Sequence, residues 1–137
     1  MPPAADMQRH VNLLGLLWQL WGALWMLVAA SLLLLAIGAF VPAVAPDGTS
    51  AAFAAGLTAA VFALAGSFAL IWGGAHVWSG ALLRRQVPFG RIVALALAVV
   101  NLLILPFGTA LGTYGLWVLL REEGRRLFEP RPAPAKS

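Results

Sequence analysis

The segment NLLILPFGTALGTYGLWVLL, residues 101–120, carries no charged side chain, and Pro106 interrupts it. If the segment is one kinked membrane crossing, the C-terminal tail lies opposite the other basic segments of the chain. If the chain turns at Pro106, it returns to the side from which it came. Proline fits the first turn of a helix but not its interior. The structure formed around Pro106 therefore decides between three and four membrane helices.

The distribution of basic side chains favours a turn at Pro106. They lie before the first apolar run, between the second and third runs, and after the fourth: Arg9; Arg84, Arg85 and Arg91; Arg121, Arg125, Arg126, Arg131 and Lys136. With a turn, all 9 lie on one side of the membrane, whereas one kinked crossing divides them five against four. The positive-inside rule then predicts two helices here and both termini in the cytoplasm.

Composition identifies the lipid bilayer as the main solvent. Hydrophobic residues make up 61% of the 137 residues, charged residues only 10%, and the mean hydropathy is +0.88. A soluble domain carries about 25% charged residues. The chain has no cysteine, which excludes disulfides and thiolate chemistry. Its pI is about 11.2, but the basic residues border apolar runs, so we expect contact with anionic lipid headgroups and not with nucleic acid.

Four apolar runs predict an all-α, polytopic membrane protein. The expected architecture is a four-transmembrane-helix bundle with two long N-terminal helices and a short C-terminal hairpin that turns at Pro106. The predicted spans are 11–41, 51–83, 88–105 and 107–122, within one domain of residues 1–128. Residues 129–137 are predicted to be a disordered cytoplasmic tail. The last two runs offer only about 21 Å of helix each, so we expect local membrane thinning or shielding by the longer helices.

Several segments of the C-terminal half resemble a group of small bacterial four-helix membrane proteins. They are Gly80–Arg85 (GALLRR), Gly90–Leu95 (GRIVAL), Asn101–Leu120 and Gly124–Phe128 (GRRLF). The resemblance covers residues 80–128 and implies a four-helix fold in a bacterial inner membrane. It implies no activity.

The sequence predicts no catalytic, cofactor-binding or metal-binding residues. His10 and His76 are isolated from each other, and no acidic residue lies inside an apolar run. No nucleophile or phosphate-loop motif is present. Glu122 and Glu123 are expected to pair with Arg125 and Arg126 at helical spacing. We therefore predict that the protein is not an enzyme.

Small residues mark two seams for close helix packing. Gly108, Gly112 and Gly115 predict the contact face of an antiparallel hairpin formed by the third and fourth helices. The first helix carries Gly15, Gly22, Ala29 and Ala36, which are spaced by seven and lie on one side. Such seams serve either packing within the monomer or packing between subunits, and the bundle itself favours the first.

His76 is the one His, Lys, Arg, Asp or Glu inside the apolar runs, away from the charged helix ends, which makes it a functional hypothesis. Gln19, Thr113 and Tyr114 are predicted at nearly the same depth from the cytoplasmic ends of their helices. An unpartnered imidazole or amide in hydrocarbon costs several kcal/mol. We therefore expect His76 to be neutral at pH 7 and to hydrogen-bond one of these three side chains, directly or through water. A purely structural histidine is the alternative to a proton-linked role.

The resulting functional hypothesis is a non-enzymatic inner-membrane protein that acts through helix–helix interactions. It would be a small homo-oligomer or an accessory subunit of a membrane complex. Anionic headgroups on the cytoplasmic side would contact Arg84, Arg85, Arg91, Arg121, Arg125 and Arg126. The alternative is an oligomeric channel or small transporter with a polar layer at Gln19, His76 and Tyr114.

Overall fold

The computed structural model describes residues 3–44, 50–104 and 106–129. Helices make up 90% of these residues, and no strand occurs among them, which confirms the predicted all-α class. The helices of this part of the chain are α1 (Pro3–Ala43), α2 (Ser50–Arg84), α3 (Pro88–Asn101), α4 (Phe107–Leu120) and α5 (Glu122–Arg126). The predicted loop around Asp47 and the predicted tail from residue 130 onward lie outside the described residues.

The two N-terminal helices are long and apolar enough to cross a membrane. α1 has 41 residues and α2 has 35, and at about 1.5 Å per residue both exceed a hydrocarbon core of about 30 Å. Only 11% of the most apolar stretch of α1 and 17% of that of α2 is buried. A core helix of a soluble protein would be buried over most of its surface.

The helix ends differ from the predicted spans at several points. α1 begins at Pro3 and not at residue 11, because the polar N-terminal residues continue the helix. α3 ends at Asn101 and not at residue 105, since the Leu103 and Ile104 amides bond to carbonyls only three residues back. α4 ends at Leu120 and not at residue 122. The extended backbone of Arg121 (ψ 143°) interrupts it there, and α5 follows.

The chain divides into two compact units, each containing parts of α1 and α2. We call residues 1–20 with 76–137 the bundle unit, and residues 21–75 the two-helix unit. Large side chains form the core of the bundle unit. α1 contributes Met7, Val11, Leu14 and Trp18, which recur at helical spacing on one face. They pack with Leu83, Ala94, Ala98, Val118, Leu119 and Phe128 from the other helices.

The turn from α2 to α3 contains a residue in the left-handed region. Gln86 has φ 53°, its amide bonds to the Leu83 carbonyl, and the Val87 amide bonds to the Leu82 carbonyl. This pattern is a Schellman motif, in which the left-handed position is usually glycine. Pro88 then occupies the first turn of α3, where its missing N–H leaves no carbonyl unpaired.

α3 and α4 form an antiparallel hairpin in close backbone contact. A Cβ added at Gly112 would lie 2.5 Å from the Ala98 carbonyl oxygen, and one at Gly108 would lie 2.8 Å from that of Asn101. At the open end, Arg91 Nε donates to the Leu119 carbonyl oxygen over 3.1 Å. The glycines therefore allow a packing distance that any side chain would prevent.

The tip of this hairpin pairs most of its own backbone. Ile104 N–H donates to the Asn101 carbonyl over 2.9 Å, and Thr109 N–H donates to the Ile104 carbonyl over 3.0 Å. Thr109 Oγ1 donates to the Leu102 carbonyl over 3.1 Å. The side chains of Leu103 and Phe107 at the tip are 83% and 72% exposed. The tip is thus apolar outside and hydrogen-bonded inside.

In the two-helix unit, small residues are buried and large ones are exposed. A Cβ at Gly73 would lie 2.7 Å from the Gly22 carbonyl oxygen, and one at Gly66 would lie 3.3 Å from that of Ala29. Ala36 and Ala59 continue this seam as buried residues. The exposed side chains include Leu27, Leu34, Ile37, Phe53, Leu64, Phe68 and Ile71. This arrangement suits an apolar solvent, because helices in lipid pack through small residues.

Candidate functional site

A buried polar centre joins three helices of the bundle unit. His76 of α2, Asn101 at the end of α3 and Trp18 of α1 are fully buried. His76 Nε2 lies 2.8 Å from Asn101 Nδ2, and the imidazole and indole centroids are 5.3 Å apart. The Asn101 amide nitrogen can donate to Nε2 in the tautomer that carries the ring proton on Nδ1.

The same unit buries polar atoms that have no hydrogen-bond partner among the described residues. They are Trp18 Nε1, Ser79 Oγ and Asn101 Oδ1. Ser79 lies one helical turn after His76 on α2. Each such atom lacks the hydrogen bond it would make to water in the unfolded chain, at a cost of about 1–3 kcal/mol. The centre therefore combines one strong polar pair with uncompensated polar groups.

The predicted partners of His76 lie elsewhere in the bundle unit. Gln19 Oε1 accepts from Arg84 Nη1 over 3.1 Å. Thr113 is exposed, and its Oγ1 donates to the Thr109 carbonyl over 2.8 Å. The hydroxyl of Tyr114 lies 2.9 Å from His10 Nδ1. The structure thus gives His76 a bond to Asn101, a partner that was not among the three predicted, and the predicted contact with those three, direct or through water, stays a prediction.

The prediction from depth did not include Asn101, because residue counts along a helix give height but not facing direction. Thr113 and Tyr114 match His76 in their count of residues from a cytoplasmic charge, but their hydroxyls contact Thr109 and His10. Asn101 is the only amide between Arg91 and Arg121, and this isolation is the signal in the sequence that could have identified it. An amide isolated in an apolar run needs a polar partner, just as the histidine does.

A second aromatic and polar cluster surrounds His10. The imidazole meets the ring of Trp117 edge to face at 5.8 Å, in addition to its contact with the Tyr114 hydroxyl. Tyr114 and Trp117 stack with centroids 6.1 Å apart. The Arg121 guanidinium carbon lies 4.5 Å from the centre of the Trp117 ring, a cation–π distance. These contacts tie the start of α1 to the end of α4.

The six arginines predicted to contact lipid headgroups have different partners. Arg91 bonds a helix-end carbonyl and Arg121 covers an indole ring. Arg126 pairs with Glu122 at 2.8 Å, Arg125 pairs with Glu129 at 3.5 Å, and both pairs are exposed. The Arg126 guanidinium holds the pKa of Glu122 below its ordinary value through this hydrogen bond. Arg84 and Arg85 line an open groove together with Arg9.

The glycines predicted to pack the hairpin are all buried on α4. Gly108 and Gly112 face the backbone of α3, whereas Gly115 faces side chains. A Cβ there would lie 3.6 Å from Ala98 Cβ and from Trp18 Cζ2. The glycine face thus contacts both α3 and α1 within the bundle unit.

The described residues bring no three His, Cys, Asp or Glu side chains together in a way that could hold a metal ion. Several polar side chains of the bundle unit form pairwise ties between helices, such as His76 with Asn101 and Gln19 with Arg84. Comparison with family models, with curated proteins and with solved structures gave no match to this chain.

Proposed function

We propose that the protein is a non-enzymatic, multi-pass protein of a bacterial inner membrane that acts through helix–helix interactions. The observation that carries this proposal is the sorting of side chains by size in the two-helix unit. Alanine and glycine lie in the seam, while leucine, isoleucine and phenylalanine face outward. Large apolar side chains gain nothing from facing water, but they fit lipid. The polar pairs of the bundle unit support a structural role for its buried groups.

The proposed topology places both termini in the cytoplasm. α2 would then descend from the periplasmic side and end at Arg84, next to Arg85 and Arg91. The basic residues at both ends of the described chain and in this link would lie on the same side. Only α1 and α2 need to cross the whole bilayer for this orientation.

The depth of the α3–α4 hairpin bears on the number of crossings. His76 lies eight residues before Arg84, which is about 12 Å along the axis of α2. Asn101, at the tip of the hairpin, bonds His76 and so lies near that depth. This is less than half of a hydrocarbon core of about 30 Å. We therefore propose that α3 and α4 enter from the cytoplasmic side and turn inside the membrane, in place of two full crossings.

Single cysteines test this topology directly, because the chain has none of its own. Ser50→Cys, at the start of α2, should react with a membrane-impermeant maleimide in intact cells. Glu123→Cys should react only after the inner membrane is opened. Leu103→Cys at the hairpin tip should resist the reagent in both conditions, since thiolate does not form in hydrocarbon.

A second experiment measures directly whether residue 103 lies among lipid acyl chains, because the absence of maleimide labelling is only a negative result. A fluorophore attached to this cysteine in detergent should, after reconstitution, be quenched by nitroxide on lipid acyl chains more strongly than by nitroxide on headgroups. Labelling of Leu103→Cys in intact cells would instead show a turn in the periplasm and four full crossings. Labelling of Ser50→Cys only in opened cells would overturn the proposed orientation as a whole.

The proposed role in helix–helix interactions is tested by identifying the proteins that remain bound to this chain after extraction from the membrane. Gentle extraction of tagged protein, followed by light scattering, should give either a small homo-oligomer or a complex with a stoichiometric membrane protein. A monomer that retains no partner would contradict the proposal. The channel hypothesis has less support from the geometry, because the described hydrogen bonds of Gln19, His76 and Tyr114 go to Arg84, Asn101 and His10. Ion flux through protein-containing liposomes would support the channel hypothesis.

A further inference from the structure

A groove of about 960 Å³ lies in the bundle unit between the first turns of α1 and the last turns of α2. One stripe of α1 at helical spacing forms one wall, and the end of α2 forms the other. Its lining residues are Ala5, Gln8, Arg9, Asn12, Leu13, Leu16 and Gln19 on α1, with Ala81, Arg84 and Arg85 on α2. Three guanidinium groups and three amide side chains thus surround one concave surface.

Two glycines next in sequence to groove residues Leu16 and Ala81 bring α1 and α2 into close backbone contact. A Cβ at Gly80 would lie 2.5 Å from the Gly15 carbonyl oxygen, and one at Gly15 would lie 2.9 Å from that of Gly80. The Cγ of Arg84 would be 2.8 Å from the added Cβ of Gly15, so its stem crosses this contact. Gln19 then holds the Arg84 guanidinium through one hydrogen bond. This arginine is therefore oriented before any ligand arrives.

The positive charge in the groove is not neutralised by the described part of the chain. No acidic residue lines the groove, and none of its three arginines forms an ion pair with a described residue. Arg125 and Arg126, in contrast, both have carboxylate partners. Three like charges along one groove repel one another, and an anion placed between them would relieve that repulsion.

We propose that this groove binds the phosphate of an anionic phospholipid headgroup. Guanidinium groups bind phosphate through paired N–H donors, and the amide side chains of Gln8 and Asn12 can add donors to phosphate or glycerol oxygens. Leu13 and Leu16 lie on the same wall and are 44% and 45% exposed. They offer an apolar surface to the first carbons of an acyl chain. A soluble phosphate ester would use the arginines but not the leucines.

This inference rests on the proposed function, because the groove meets such headgroups only if the chain lies in a membrane with this end of the bundle unit at a lipid surface. The binding test itself does not need that orientation. Delipidated full-length protein in a mild detergent is titrated with phosphatidylglycerol or with phosphatidylcholine, and bound lipid is counted by native mass spectrometry. Failure of the cysteine labelling pattern would overturn the topology, whereas failure of this titration would overturn the site alone.

Two double variants that remove the same positive charge distinguish a specific lipid site in the groove from general electrostatic attraction of the lipid to the protein. We expect Arg9→Gln/Arg85→Gln to weaken phosphatidylglycerol binding at least about tenfold, because two of three guanidinium contacts are lost. Arg125→Gln/Arg126→Gln removes the same charge outside the groove and should change the affinity less than about twofold. Both pairs are exposed, so an unchanged melting temperature will show that the fold is retained.

Equal loss of binding in the two double variants, or no loss in either, would overturn the proposal. So would equal affinity of the unaltered protein for phosphatidylglycerol and phosphatidylcholine. A competition arm identifies the source of the phosphate. Millimolar inorganic phosphate or glycerol 3-phosphate should leave the bound phosphatidylglycerol in place. Displacement by either solute would assign the groove to a soluble phosphate ester and overturn the lipid assignment.

Discussion

Gln86 is the residue at which an unfavourable backbone conformation can be relieved by one substitution. Its φ of 53° lies in the left-handed region, which costs a residue with a Cβ roughly 1–2 kcal/mol. We expect Gln86→Gly to raise the free energy of unfolding by up to about 1 kcal/mol, since part of the gain is offset by the flexibility of glycine when unfolded. Gln86→Ala keeps the Cβ and is the matched control. Equal thermal midpoints of the two variants would contradict this account.

Ser79 and Asn101 allow a buried polar group without a partner to be compared with one that has a partner. Ser79→Ala removes a hydroxyl that has no partner among the described residues, so the stability should stay constant or rise. Asn101→Leu keeps the number of side-chain heavy atoms but removes the donor to His76 Nε2, and should cost about 1–3 kcal/mol. Thermal unfolding of both variants in one detergent measures the difference. A Ser79→Ala variant that is as unstable as Asn101→Leu would disprove the distinction.

The sequence predicts that His76 has a polar hydrogen-bond partner, but it does not predict which residue that partner is. An isolated histidine in an apolar run requires a polar neighbour, and His76 has one. Its identity could not be read from depth, because a helix turns about 100° per residue and a small error in the count changes the face. Gln19 illustrates this limit. It lies near the expected height, but it faces Arg84 and the groove.

At the scale of the helical elements, the tip of the α3–α4 hairpin depends on one hydroxyl. Thr109 Oγ1 bonds the Leu102 carbonyl, which follows the end of α3. Thr109→Val keeps the shape and removes this donor, so we expect a loss of about 1–2 kcal/mol. Thr113→Val is the control, because Thr113 Oγ1 only adds a bond to a carbonyl of its own helix. Similar unfolding free energies for the two variants would show that the tip does not need the hydroxyl.

The contact between α3 and α4 predicts a second pair of variants. Gly112→Ala would place a Cβ 2.5 Å from the Ala98 carbonyl oxygen and should destabilise the hairpin by about 1–3 kcal/mol. Gly38→Ala on α1 meets no atom within 4 Å and should be neutral or stabilising by up to about 1 kcal/mol. Unfolding in a denaturing detergent gives both values. Equal effects at the two positions would place Gly112 away from the packed face.

The existence of the helices was predictable from the sequence because their apolar runs are long. The residue at which α3 ends was not predictable. Residues 101–105 are uncharged and contain no residue that signals the end of a helix. The only such signal is Pro106, which follows them. The helix ends at Asn101 because the next amides form tighter three-residue bonds, which composition does not reveal. The seven-residue spacing of Ala59, Gly66, Gly73 and Gly80 was visible in the sequence and matches that of the α1 seam.

For the whole molecule, the exposed apolar surface predicts its behaviour during extraction. We expect the protein to stay with the membrane pellet in alkaline carbonate and to require detergent for release. Carbonate removes proteins held by charge, whereas outward-facing side chains such as Leu64 and Phe68 hold the chain by burial in lipid. A peripheral protein of the same fraction serves as the control. Release into the carbonate supernatant would contradict the membrane assignment.

The even spacing of the seam in the two-helix unit has a consequence for how its two helices find their alignment. If α2 slid along α1 by seven residues, Gly22 would meet Gly66 and Ala29 would meet Ala59, so small residues would again face small residues. The seam thus fits at steps of about 10 Å and cannot by itself select one step. The choice must come from features that do not repeat, such as the length of the chain that connects α1 to α2. Lengthening that connection should therefore permit a shifted pairing, which disulfides between cysteines placed along the seam would detect.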